Sequence, residues 1–218
     1  MQTVKIKGSE KTYSIGKVLC VGKNYLEHAK ELGDAVPDKP VIFMKPASSI
    51  IFSGEKISHP KFSTSLHFET ELVLIVGKTC KEVSKSQAMD FIAGYSVGLD
   101  MTLRDIQSQL KKNGHPWEMS KCFDTSTVLG EFVSTAEIDD PNNLSIKLWV
   151  NNVMRQNDNT SSMIYNVESI FEYLSTYFTL EEGDIIFTGT PPGVGEVKIG
   201  DKLKAEIESV STIFTEIA

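Results

Sequence analysis

Apolar and polar positions alternate along the chain in short runs, most of them of strand length. TVKIKG (3–8) and KTYSIGKVLCVG (11–22) alternate and carry β-branched residues, with Gly8 and Gly16 at turns. NYLEHAKEL (24–32) has the spacing of a short helix stopped by Gly33, and DAVPDKP (34–40) reads as a loop. VIFMK (41–45) reads as a strand ended by Pro46, and HFETELVLIVG (67–77) as the strongest strand of the chain. SKSQAMDFIAG (84–94) reads as a helix running into GYSVGLD (94–100), an apolar strand that ends in an acid. MTLRDIQSQLKKNG (101–114) has helical periodicity and a glycine stop. From 128 onward strands dominate: VLGEFV, LSIKLWVNN and DIIFTG, with one helix at 166–178 and an alternating hairpin at 202–217. This order predicts an α+β fold, a mostly antiparallel β-sandwich or roll with a few short helices.

Length and charge narrow the picture. The 218 residues suit a single catalytic domain over 1–218, with 1–16 as a small N-terminal strand appendage. A chain of this size buries enough core to need no disulfide or structural metal. The net charge of −7 argues against a nucleic-acid partner. Cys20, Cys80 and Cys122 are odd in number and widely spaced, which reads as idle thiols in a reducing compartment. MQTVKIKGSE has no apolar leader, and no apolar run reaches membrane-spanning length, so the expected location is cytoplasmic, without a membrane partner.

Candidate chemistry begins in the 67–77 strand. His67, Glu69 and Glu71 are spaced by two, so in a strand they share a face, the two acids roughly 7 Å apart at Cα. Like charges on a half-buried face repel, and a divalent cation between them relieves both the repulsion and the burial. Asp100, at the end of another apolar strand, is a natural third ligand. Three carboxylates without a thiolate favour Mg²⁺ or Mn²⁺, with Ca²⁺ as a substitute, and leave about three octahedral positions for water and substrate. His67 fits a role behind the ligands. The alternative is a solvent-facing strand whose acids pair with lysines; spacing alone leaves both open.

Arg104 and Gln107 share a face of the 101–114 helix and suit recognition of a carboxylate. Lys121 is a lone lysine in the irregular apolar stretch WEMSKCFD. Gly189 and Thr190 follow a strand end in FTGTPPGVG, where a backbone N–H and a hydroxyl can hold a carboxylate or oxyanion. His28 and Glu31 stand at i and i+3 of the 24–32 helix, where a carboxylate can orient the imidazole as a base. Each has a plainer reading as a surface pair, a solvated cation or a tight turn.

In combination, VGKNYLEHAKE, FMKP, HFETELVLIVG, GYSVGLDMTLRDIQ, PWEMSKCFD, TSSMIYNVESI and GDIIFTGTPPGVG resemble the fumarylacetoacetate hydrolase family, in its short single-domain branch of acylpyruvate hydrolases and oxaloacetate decarboxylases. The resemblance spans about residues 17–215. It implies Glu69, Glu71 and Asp100 as metal ligands, and Arg104, Gln107 and Thr190 around the substrate. It implies Lys121 with a His28–Glu31 dyad on a mobile lid as the catalytic groups, and a homodimer. Lys23 departs from the arginine common in relatives, keeping the charge without a bidentate fork. The implied activity is cleavage of a C–C bond in a small 2-oxo acid through a metal-stabilised enolate, by hydrolysis or decarboxylation. The alternatives are enol–keto tautomerisation at the same site, or non-catalytic binding of a metal or metabolite.

Overall fold

The structure, a computed structural model, describes residues 2–33 and 35–218. Residues 1 and 34, which fall in the expected N-terminal appendage and the 34–40 loop, lie outside the described residues.

The run LVLIV is continuous rather than alternating because its strand is buried on both faces. Leu72, Leu74 and Val76 belong to one apolar cluster, and Val73 and Ile75 to another, all fully buried. The strand, Thr70–Val76, is central to an eight-stranded sheet. The order is Val41–Lys45, Val18–Gly22, Ile185–Phe187, Thr70–Val76, Ile92–Asp100, Thr127–Leu129, Ile50–Phe52, with Val133–Ser134 also pairing with Ile92–Asp100. On one face packs a five-stranded sheet built from Val153–Asn159, Ser145–Val150, Lys202–Ile207, Ser211–Ile217 and Lys56–Ile57. Ile146, Leu148, Leu203, Ala205 and Ile213 from this sheet meet Leu72, Leu74, Val97 and Leu99 from the other. The helix Val167–Tyr177 closes the same core with Val167, Ile170, Phe171 and Leu174. The opposite face is covered by Val4, Tyr13 and Ile15, from and beside the small sheet of Thr3–Lys5 and Thr12–Ser14.

The α+β class and the few short helices hold. The expectation of mostly antiparallel sheets holds in part: most strand pairs are antiparallel, but both large sheets are mixed. Ile185–Phe187 runs parallel to Val18–Gly22, Thr127–Leu129 parallel to Ile50–Phe52, and Ser211–Ile217 parallel to Lys56–Ile57. Each of these pairs joins segments far apart in sequence. Alternation reports which side chains face inward, but not which distant strand lies alongside or in what direction.

Two local departures matter for the site. The expected single strand over 67–77 is two: Leu66–Phe68 pairs with Thr102–Leu103 and Gly195–Val197 in a separate three-stranded sheet, and Thr70–Val76 enters the large sheet. Glu69 sits at the break, its carbonyl accepting from the Asp100 N–H at 2.9 Å. The expected helix over 84–94 is a 3₁₀ helix, Lys85–Phe91. Only Ala88 in it is buried, so it has no apolar stripe to hold an α-helix against the core.

Candidate functional site

Sheet register brings the acids together. Glu71 is opposite Gly98, and Asp100 lies two residues further along that strand, so Glu71 and Asp100 project from the same face. Their neighbours on this face are Val73, Phe187, Cys20 and Phe43. Gly98 is required here: a Cβ would lie 2.5 Å from both the Val73 Cγ2 and the Phe187 Cε1. Glu69, freed from the sheet by the strand break, turns its carboxylate to the same point. Glu69, Glu71 and Asp100 each offer an oxygen, and these atoms lie within 4.8 Å of one another. All three residues are buried.

Three cations face them. Lys121 Nζ donates to Glu69 Oε2 and Asp100 Oδ2, each at 2.6 Å. Arg104 Nη2 donates to Glu69 Oε1, and Nη1 to Gln107 Oε1, both at 2.5 Å. Lys45 Nζ donates to Asp100 Oδ1 at 2.6 Å and to the Ser126 carbonyl at 3.0 Å. Arg104 opens the helix Arg104–Asn113, whose first turn is fixed because Asp105 accepts from Ser63 Oγ at 2.7 Å and from the Thr64 N–H at 2.9 Å. Gly114, in the left-handed conformation, ends that helix.

The acids differ in protonation. Burial raises the pKa of Glu69, but Lys121 and Arg104 outweigh it and hold Glu69 well below the usual carboxylate range. Glu71 goes the other way: burial, then the charges of Asp100 and Glu69, push it well above that range. Among the described residues it accepts one hydrogen bond, from the Gly189 N–H at 2.5 Å, and forms no ion pair, although the charge of Lys121 partly offsets the rise. Burial also opposes the charge on Lys121, yet Asp100 and Glu69 keep its pKa above the ordinary lysine value. Lys121 is thus a fixed cation, with its Nζ 4.9 Å from the centre of the Phe43 ring.

The donors are three hard carboxylate oxygens, and one of them, on Glu71, is buried with no ion pair of its own among the described residues. The nearby Cys20 thiol is driven well above its usual pKa by burial first, and stays protonated. The set fits an oxygen-preferring divalent ion such as Mg²⁺ or Mn²⁺.

Above the acids is a cavity of about 30 Å³ lined by His28, Glu69, Glu71, Asp100, Arg104, Gln107, Lys121 and Thr190, with Trp117 and Phe43 on the apolar side. His28 is buried, and its Nδ1 lies 3.3 Å from Glu31 Oε2. Burial first lowers the His28 pKa, so the ring is neutral at pH 7. Glu31 also accepts from the Gly193 N–H at 3.2 Å, linking the helix Leu26–Glu31 to the Pro-Pro-Gly turn. Among the described residues, Arg104 Nε is a buried donor with no partner, and His67 Nδ1 is likewise buried without one. Burial, then the charge of Arg104, lowers the His67 pKa.

Of the ten residues given metal, substrate or catalytic roles, eight line this one cavity, and Glu31 stands beside His28. Gly189 differs: its N–H is committed to Glu71, its φ of 100° lies in the left-handed region, and an added Cβ would stand 2.7 Å from Asn24 Cβ. Sequence reasoning missed three buried residues. Lys45 left a signal, as the one charge in VIFMK just before a proline. Asn24 bridges the Tyr165 and Thr188 backbone, and Gln156 bridges Thr70, Thr190 and Pro191. Both sit in polar stretches that do not set them apart.

Fold and pocket together define an α+β protein with a buried three-carboxylate centre ringed by cations. Its residues 17–218 match the family described as fumarylacetoacetate (FAA) hydrolase C-terminal, and the chain belongs to that family. It is 46% identical over 193 residues to the mitochondrial oxaloacetate tautomerase FAHD1 of Bos taurus, covering 88% of this chain and 87% of that one. It is 41% identical over 206 residues to the oxaloacetate tautomerase YcgM of Escherichia coli, covering 94% of each. A fumarylpyruvate hydrolase from Pseudomonas aeruginosa, solved with Mn²⁺ and pyruvate, superposes with a TM-score of 0.95 at 35% identity, covering 100% of this chain and 95% of that one.

Proposed function

We propose that the protein is a divalent-metal enzyme that forms the enolate of a small 2-oxo acid, with oxaloacetate tautomerisation as its first reaction. The observation that carries this reading is the convergence of carboxylate oxygens of Glu69, Glu71 and Asp100 within 4.8 Å, with Glu71 outside every ion pair among the described residues. Relatives named oxaloacetate tautomerase, 41–46% identical over most of the chain, support the substrate.

Glu69, Glu71 and Asp100 would hold the ion, Mg²⁺ or Mn²⁺. When bound, it supplies Lewis-acid polarisation of a 2-oxo carbonyl. The remaining chemistry belongs to the side chains. Lys23 and Lys111 also line the cavity, beside Arg104 and Lys121. A divalent cation adds positive charge to this wall, which favours an anionic substrate such as the dicarboxylate oxaloacetate. Arg104, with its unmet Nε–H, and Gln107, whose Oε1 is taken by Arg104 and whose Nε2 remains a donor, suit the substrate's carboxylates. Lys121 remains protonated and stabilises developing negative charge on oxygen. His28, neutral and oriented by Glu31, removes or returns the proton at carbon 3.

The His28–Glu31 contact also favours a second reading, hydrolysis of an acylpyruvate, in which the same base activates water toward the distal carbonyl. The test is a panel of oxaloacetate, acylpyruvates and fumarylpyruvate, followed by ultraviolet absorbance with Mg²⁺, with Mn²⁺ and with chelator. Metal-dependent loss of the oxaloacetate enol band, above the uncatalysed rate, is the expected result. No turnover of any acid in the panel, alongside tight oxalate binding, would instead indicate a binding protein.

A further inference from the structure

Gln156 is the only fully buried residue of the strand Val153–Asn159, which is otherwise exposed or half-buried. A buried amide must satisfy both its ends, and here each end meets a partner that fixes which end it is. The Thr70 backbone N–H can only donate, and it lies 3.1 Å from Gln156 Oε1. The Pro191 carbonyl can only accept, and it lies 2.8 Å from Nε2. The amide orientation follows from these two partners alone. Its third contact, Nε2 to Thr190 Oγ1 at 2.8 Å, is therefore a donation into the threonine oxygen.

The Thr190 hydroxyl accepts from Gln156, so its own proton must go elsewhere, and no acceptor among the described residues is hydrogen-bonded to it. Thr190 is buried and lines the cavity above the acids. Thr70, at the other end of the amide, stands between Glu69 and Glu71.

We infer that Gln156 is a positioning residue that ties the Glu69–Glu71 segment to the Thr190 turn and fixes the Thr190 hydroxyl as a hydrogen-bond donor to the bound acid. This rests on the functional reading above. The substrate group it recognises is an anionic oxygen, carboxylate or enolate, which accepts only.

Gln156→Glu tests it, because a carboxylate still accepts from Thr70 but cannot donate to Thr190; the threonine proton then turns toward residue 156. Oxalate affinity is measured by titration calorimetry with saturating Mg²⁺ for wild type, Gln156→Glu, Thr190→Val and the double variant. Mn²⁺ affinity is measured alongside. Each single variant should weaken oxalate about 10-fold, the double variant no more than Thr190→Val, and Mn²⁺ affinity should change less than about 3-fold in Gln156→Glu. Gln156→Met, which abandons both ends, should weaken Mn²⁺ as well, by about 10-fold. Unchanged oxalate affinity in Gln156→Glu, or additive losses in the double variant, overturns the inference. If neither Gln156 variant folds, Thr190→Ser against Thr190→Val decides: serine close to wild type with valine about 10-fold weaker supports it, and equal affinities overturn it. Wild-type protein that binds no oxalate with Mg²⁺ overturns the functional reading itself, a result distinct from intact wild-type binding with an indifferent Gln156→Glu.

Discussion

Lys121 Nζ lies 2.6 Å from Asp100 Oδ2, and both side chains are almost completely removed from solvent. A buried pair of this kind contributes little against a well-packed apolar substitute, but breaking it from one side is costly. Lys121→Met should therefore destabilise the protein by about 3–5 kcal/mol in urea unfolding, because Glu69 and Asp100 lose their shared cation. It should also lower kcat at least about 100-fold. Lys121→Arg, which keeps the charge, should recover most of the stability and little of the rate. Equal stability of wild type and Lys121→Met would contradict the arrangement.

His28→Ala should separate three reactions open to such a site: tautomerisation, acylpyruvate hydrolysis and oxaloacetate decarboxylation. Where His28 only activates water, acylpyruvate hydrolysis is lost, about 100-fold or more, while oxaloacetate decarboxylation is spared. Where His28 moves the proton at carbon 3, tautomerisation falls with it. Glu31→Gln should give the same pattern more weakly, since Glu31 only orients the ring and holds Gly193. A His28→Ala enzyme with full activity in all three assays would remove the dyad from the mechanism.

The pH profile follows from the same histidine. Burial shifts His28 below its ordinary 6.5, so the neutral base persists as pH falls through 6.5 and is lost only below the shifted value. A plot of log kcat/KM against pH should be flat from neutrality to below 6.5, then fall with unit slope on the acid side. The limb should be absent from the residual activity of His28→Ala. A limb centred above 7 would contradict the direction of the shift.

Gly98→Ala tests the packing that aligns the two acid-bearing strands. The added methyl would meet Val73 and Phe187 at 2.5 Å. Overpacking of this degree should cost about 1–3 kcal/mol, read from the urea midpoint, with metal affinity reduced as Glu71 and Asp100 are displaced. The double variant with Val73→Ala should recover part of the loss.

Much of the site was legible because buried charge is conspicuous in an apolar run. Glu69, Glu71, Asp100 and Lys121 each interrupt hydrophobic sequence, and each is buried in the structure. Glu69 and Glu71 do not simply share a strand face, as their spacing by two suggests. The chain leaves one sheet after Phe68 and enters another at Thr70, and the break turns Glu69 toward Arg104 and Lys121. No local pattern announces such a break, because both halves alternate correctly. The parallel partners Val18–Gly22 and Ile185–Phe187 were hidden for a related reason, since their pairing depends on a connection of more than 150 residues. Gln156 was invisible because its burial is decided by Thr70 and Pro191, both distant in sequence.

The central claim is that Glu69, Glu71 and Asp100 hold a divalent cation, and Glu71 is its most sensitive probe because only that carboxylate lacks a cation of its own. Mn²⁺ titration followed by electron paramagnetic resonance, on wild type and Glu71→Gln, measures it directly. One Mn²⁺ per chain in the wild type, with affinity reduced about 100-fold or more in a folded Glu71→Gln, is the predicted result. Equal Mn²⁺ binding by the two proteins, or none by the wild type, would contradict the account.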